Sequence, residues 1–274
     1  MSTVRSGLLA AWGSAWLAGR VSYDDAVDAV TGADEPHRVV GLAAPHLAGS
    51  DGIADEPAEG PGDGPVGAPA EDPGVPLGWL LTALRDRGST AVRLVLPVPG
   101  DPRGLPGPGP FTSAAVTANE AVLVPGLGAV PALTRHGSAV GSAATSVRWT
   151  AYRVGEPTPD PLSVAEAEHD LAAALREATA ALVEVDAASW SPGGAPDADL
   201  VRRHAEPRLP PGWPARAVRL LVQADRLAGV LSLADADAPG GAVTGAQARA
   251  RDEALRPLRT AVRRARLAAY NDGP

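Results

Sequence analysis

Asp101 and Arg103 are the pair whose chemistry reads most directly from the chain. They stand two positions apart in a proline- and glycine-rich run, residues 97–111, that follows an apolar stretch with the character of a buried strand. A guanidinium in such a loop can hold a carboxylate or phosphate, and a carboxylate beside it can act as a base or orient a hydroxyl. Loops leaving the carboxyl ends of strands are where α/β crevices take ligands. The structural alternative is a proline-stiffened connection in which the two side chains pair with each other. A phosphate loop is excluded, because its lysine is missing and the prolines remove the N–H donors it needs.

Arg135 and His136 complete the expected ligand-binding set. With Ser138 and Ser142 in the Gly/Ser/Ala loop that follows, they admit a nucleophile and a base, although no nucleophile-elbow spacing is present. Glu166 and His169 have the three-residue spacing of carboxylate-bridged metal sites in helical bundles. Such sites need a second pair on a facing helix, which the sequence lacks, and Glu166 is explained as part of a helix cap, so no metal is expected. His204 has no ligand partner at a recognisable spacing. Trp213, between Pro211, Gly212 and Pro214, reads as a partner contact or as a residue of the domain seam. Pro125-Gly126-Leu127-Gly128 reads as a hairpin turn and not as an anion-binding nest.

Composition narrows the chemistry further. The chain has no cysteine, and all 24 of its basic side chains other than histidine are arginine. That removes Schiff-base lysines, phosphate-loop lysines, thiolate nucleophiles and thiolate metal sites, and no cofactor is expected. One isoleucine and two asparagines beside abundant alanine, glycine and arginine mark a GC-rich genome, so codon bias accounts for the missing lysine. The net charge of −8 is concentrated in residues 49–75, which hold seven acids, no base and prolines at every fourth position from Pro57 to Pro73. Such a stretch is expected to be disordered. Arg263, Arg264 and Arg266 would suit nucleic acid, but the overall acidity and an internal acidic stripe argue against that partner. The apolar run after Arg5 resembles a secretory signal but lacks a small-x-small cleavage site. It reads as a packed helix, and with no apolar run of about 20 residues the chain is expected in the cytoplasm, away from membranes.

Several elements must position these residues. Leu8, Trp12 and Trp16 recur at helical spacing, and Ser22, Asp25 and Gly32 punctuate a second, capped helix. Strand 37–42, a helix over 77–87 carrying Leu80, Leu81 and Leu84, and strand 90–96 suggest a right-handed crossover joining a parallel pair, with the acidic segment inserted in it. A short helix at 112–118 and antiparallel strands at 120–124, 129–135 and 146–154 follow. Residues 1–158 are thus expected to form an α+β domain with a mixed sheet of about five strands and flanking helices. Residues 159–274 are expected to form an antiparallel three-helix bundle, with helices at 163–188, 214–235 and 244–270. Ser163 with Glu166 and Thr244 with Gln247 match capping boxes, Pro214 suits a first helical position, and Pro257 predicts a kink. Val164, Ala167, Leu171, Leu175, Ala178, Leu182 and Val185 form one apolar seam; Leu255, Leu258, Val262, Ala265 and Ala269 form another. Glu166, Asp170, Glu177 and Glu184 beside the first, and Arg256, Arg259, Arg263 and Arg266 beside the second, predict ion pairs between the two helices.

Segments 11–29, 96–106, 163–168 and 261–271 together resemble uncharacterised, conserved hypothetical proteins of high-GC Gram-positive bacteria. The resemblance covers most of the chain outside the acidic segment and implies no activity. The functional expectation is therefore a cytoplasmic, non-catalytic protein that binds a small anionic ligand or a protein partner at the domain seam. The alternative is an enzyme that acts on a small anionic substrate through Asp101 and Arg103. Oligomeric state is not legible.

Overall fold

The computed structural model describes residues 4–42, 73–137, 144–156, 158, 160, 162–187, 208–236 and 245–273. Residues 49–72 of the acidic segment, Ser138, Ser142, His204 and the Thr244 cap lie outside the described residues. Residues 73–75 are described, and Val75 lies in a short strand, so the expected disorder does not extend to residue 75. The chain divides into two compact units, Val4–Asp160 and Pro161–Gly273.

The first unit opens with α1 (Arg5–Leu17). The sequence suggests one apolar face, but Leu8, Leu9, Ala10, Ala11, Ala15 and Trp16 are all buried, so nearly the whole helix is core. Its small residues make this feasible. A Cβ at Gly13 would lie 3.1 Å from Val92, and Ser14 Oγ accepts from the Val92 N–H at 2.9 Å and reaches the Val92 carbonyl at 3.3 Å. No side chain at Val4 caps the helix. Glu120 does so from elsewhere in the fold, accepting the Ser6 N–H at 2.8 Å. In α2 (Tyr23–Thr31) the expected cap is in place: Ser22 Oγ accepts from the Asp25 N–H at 3.0 Å, and Gly32 ends the helix. α3 (Leu77–Asp86) buries Leu80, Leu81 and Leu84, and α4 (Pro110–Ala118) buries Phe111 and Ala115.

The strands are β1 (Arg38–Val40), β2 (Val75–Pro76), β3 (Arg93–Val95), β4 (Ala121–Val124), β5 (Leu127–His136) and β6 (Ala144–Tyr152). They form one mixed sheet of six strands in the order β2-β1-β6-β5-β4-β3. Two expectations are corrected. The sixth strand, β2, is two residues long and contains a proline, which is compatible only with an edge, so it carries almost no sequence signal. The strands expected to pair in parallel, β1 and β3, lie at opposite sides of the sheet and run in opposite directions. β3 to β6 pair successively as an antiparallel meander, and β1 instead joins β6 in the sheet's parallel pair. Short connections make that sequential pairing cheap in loop entropy. The β4–β5 link is the expected hairpin, but its loop is only Pro125 and Gly126, with Gly126 at φ +79°, and Leu127 and Gly128 already belong to β5.

Pleat alternation gives the sheet two unlike faces. On one, Val39, Trp149 and Pro131 stand side by side in register and are buried. On the other, Val95, Ala121, Leu123 and Val130 pack with Phe111 and Ala115 of α4. This second cover reaches from β3 to the end of β6, where Tyr152 meets Phe111 edge-on. Farther across the same face, Pro76, Arg38, Arg148 and Ala132 form a row over four strands, and all four are exposed.

The second unit contains α5 (Val164–Ala187), α6 (Ala215–Ala236) and α7 (Gly245–Asn271), each within about a residue of its expected bounds. The first capping box is complete: Glu166 N–H donates to Ser163 Oγ at 3.1 Å, and the Ser163 N–H and hydroxyl both meet the Glu166 carboxylate. The Ser163 hydrogen bonds hold that carboxyl below its ordinary range. Both apolar seams are used. Val164, Ala167, Leu171 and Ala178 of α5 are buried, as are Leu255, Leu258, Val262, Ala265 and Ala269 of α7, and α7 packs against both other helices. Arg216 pairs with Glu168 at the starts of α6 and α5, whereas Trp213 at the start of α6 meets the end of α7. α7 therefore runs antiparallel to both, and it continues through Pro257. Three of the stripe residues have bonds other than the expected ones between the two helices. Arg266 bridges to Asp225 of α6 at 2.6 Å, Arg259 bridges to Asp252 in its own helix at 2.6 Å, and Glu166 serves its cap. No helix among the described residues is long and apolar enough to cross a membrane.

Candidate functional site

The 97–111 loop is a pair of tight turns. Val98 and Asp101 form an isolated antiparallel bridge around Pro99 and Gly100, with φ of Gly100 at +85°, and the Leu105 N–H reaches the Pro102 carbonyl at 3.2 Å. Leu105 is 3% exposed and plugs into the cluster under α4. Arg103 donates to both oxygens of Asp101, Nε at 2.6 Å and Nη2 at 2.7 Å. That bidentate bond, with some help from Asp160, raises the Arg103 guanidinium above its ordinary value. The two charges thus spend their hydrogen bonds on each other, as the structural alternative for this loop requires. The strand before the loop is an edge strand paired antiparallel, so the crevice of a parallel sheet is not formed there.

Arg135 and His136 end β5, and both are exposed. His136 Nε2 lies 2.9 Å from Ser146 Oγ on the neighbouring strand. By register, Val95 stands level with Val130, so His136 extends six residues beyond the point where the 97–111 connection leaves the sheet. Trp213 is 8% exposed. Its indole N–H donates to the Ala269 carbonyl at 3.0 Å and Gly273 lies against its ring, so the helical unit itself uses this side chain. An open groove of about 670 Å³ along α5 is lined by Leu175, Arg176, Thr179, Ala180 and Val183, none of them a candidate from the sequence.

What the fold does bring together is the exposed half of the second sheet face. Arg38 of β1 and Arg148 of β6 are register partners, and Ala132 of β5 flanks Arg148. Two positions along, Ser146 pairs with Thr134, and His136 closes that end of the face. Like charges opposite each other cost a sheet stability. They also present two planar, permanently charged forks suited to carboxylates. The sequence offered no signal for this pair, because 109 residues separate Arg38 from Arg148 and each reads alone as an outward strand residue.

A second cluster lies inside. Arg5 Nε and Nη2 donate to Asp34 Oδ2 and Oδ1, each at 2.8 Å. His37 Nε2 stands 3.5 Å from Asp34 Oδ2, and the Trp149 indole N–H donates to His37 Nδ1 at 3.3 Å. Burial by itself would raise the Asp34 carboxyl, but hydrogen bonding and charge from Arg5, with a smaller contribution from the nearby His37, hold it below the usual carboxylate range. Burial lowers His37; Asp34 pulls the other way without reversing it. The His37 side chain is fully enclosed, which makes this a structural centre and not a substrate site.

Comparison with known proteins agrees with the two-part architecture. Residues 6–166 match the family model for the Rv1486c-like protein, N-terminal domain, and residues 165–267 match that for the Rv1486c-like protein, C-terminal domain. The uncharacterized protein Rv1486c of Mycobacterium tuberculosis is 32% identical over 284 residues, covering 95% of this chain and 94% of the relative. The uncharacterized protein ML1804 of Mycobacterium leprae is 29% identical over 293 residues, covering 96% and 95%. No solved structure matches the chain.

Proposed function

The chain belongs to the Rv1486c-like family of high-GC actinobacteria, and from that premise we propose a non-catalytic role: it binds an acidic segment of a protein partner on the exposed half of its sheet. The observation that carries this reading is the side-by-side exposure of Arg38 and Arg148 in the four-strand row with Pro76 and Ala132. Small ligands are usually held in concave pockets that bury most of their surface, whereas an open, charged sheet face suits side-chain contacts with a macromolecular partner. Arginine at two adjacent positions supplies charge complementary to carboxylates, and the hydroxyls of Ser146 and Thr134, with the His136 ring, give that end of the face a polar rim, whereas Arg135 belongs by alternation to the opposite face. The absence of cysteine is compatible with action in the cytosol.

A poly-glutamate peptide is the direct probe. Binding measured by calorimetry should weaken with added salt and fall by at least about tenfold in the Arg38→Glu/Arg148→Glu variant, as expected for loss of two charge contacts. Equal binding by that variant, or preference for a DNA duplex or inorganic phosphate over poly-glutamate, overturns the reading. Enzymatic use of Asp101 and Arg103 would require their mutual bond to open.

A further inference from the structure

The buried cluster has an asymmetry that neither the sheet face nor the family relation explains. His37 spends Nδ1 as an acceptor from the Trp149 indole, which fixes its neutral tautomer with the proton on Nε2. That Nε2 makes no hydrogen bond, and the Asp34 carboxylate toward which it points is already claimed by both arms of Arg5. A second proton on His37 would have to go onto Nδ1, against the indole donor, in a fully enclosed site. The groups meeting here tie α1 (Arg5), the α2–β1 connection (Asp34 and His37) and β6 (Trp149). Of the charged groups facing His37, Arg5 repels the cation and Asp34 attracts it; β6 contributes the uncharged indole. α3, which packs on β1, turns its leucines inward and places Arg85 over Trp16.

We propose that His37 is an acid-sensitive latch: on protonation it releases the Trp149 indole and loosens the β1–β6 parallel pair, while the β4–β5 hairpin stays closed. The sign follows from linkage. The folded protein holds His37 below its ordinary value of 6.5, so its contribution is complete above that value and is lost as pH falls from there toward the folded value. Asp34, also lowered, would release only at more acidic pH. The β1–β6 joint is the natural point of failure because β1 is three residues long and its other neighbour, β2, has two.

Amide hydrogen exchange on the full chain, followed by NMR between pH 7.5 and 5 and corrected for intrinsic exchange, tests this. Protection at Val39, Val40 and Trp149 should fall by about tenfold per pH unit once one proton is taken up, with Val122 and Ala129 unchanged. The Trp149 indole resonance should shift over the same range, and His37→Gln should flatten the profile. Uniform loss across both strand pairs, or an unchanged profile in His37→Gln, overturns the latch. If that variant does not fold, the His37 ring resonance of the natural chain decides. A ring that takes up a proton without loss of β1 protection, or β1 loss without ring protonation, refutes the proposal.

Discussion

Two arginine–aspartate pairs in the first unit use the same bidentate chemistry and differ in nearly everything else. Arg103 and Asp101 are two residues apart, sit in one loop, and have side chains 47% and 18% exposed. Arg5 and Asp34 are 29 residues apart, join the start of α1 to the chain after α2, and are 14% and 11% exposed. The first pair closes a turn that prolines and glycines already favour. The second compensates a desolvated carboxylate and holds His37 and Trp149 in line. Hydrogen-bond geometry alone therefore says little about what a pair contributes; solvent and the number of elements joined decide it.

Asp34→Asn tests that contrast most severely. It leaves the part-buried Arg5 guanidinium without the Asp34 charge and should cost about 2 kcal/mol in urea unfolding, between the scale of a surface bridge and that of breaking a buried pair. A loss below about 1 kcal/mol would place this pair with surface bridges. Ser22→Ala, which removes a local cap in the same unit, should cost about 1 kcal/mol by the same measurement. Asp101→Asn should fall lowest, below about 1 kcal/mol, because water screens the Arg103 side of the pair. A larger loss there would mean that the loop's two turns depend on the ion pair and not on proline, glycine and Leu105.

Much of the fold was legible because its signals are local. Ser163 and Glu166 announce the start of α5, Ser22 and Gly32 bracket α2, and Pro125-Gly126 sets a hairpin, each through hydrogen bonds or dihedral limits spanning a few residues. The three long helices follow from apolar spacing in the same way. Strand order was not legible. β1 and β3 flank a helix and invite a parallel pairing, yet β3 takes β4, and only the complete meander leaves β6 open to β1. The charges of α5 and α7 show a similar limit: their stripes are real, but Arg266 turns to Asp225 of α6, which no spacing in either stripe reveals.

The candidate site divides along the same line. The sequence alone determined that lysine and cysteine chemistry is absent, that Asp101 and Arg103 could meet, and that Glu166 belongs to a cap, since each statement concerns composition or near neighbours. Only the tertiary structure decided that Arg38 stands beside Arg148 and that Arg5, Asp34, His37 and Trp149 converge. Those groups come from strands and helices far apart in the chain, brought together by sheet register and by the burial of apolar faces. Neither register between distant strands nor the local dielectric is encoded in the spacing of any one segment.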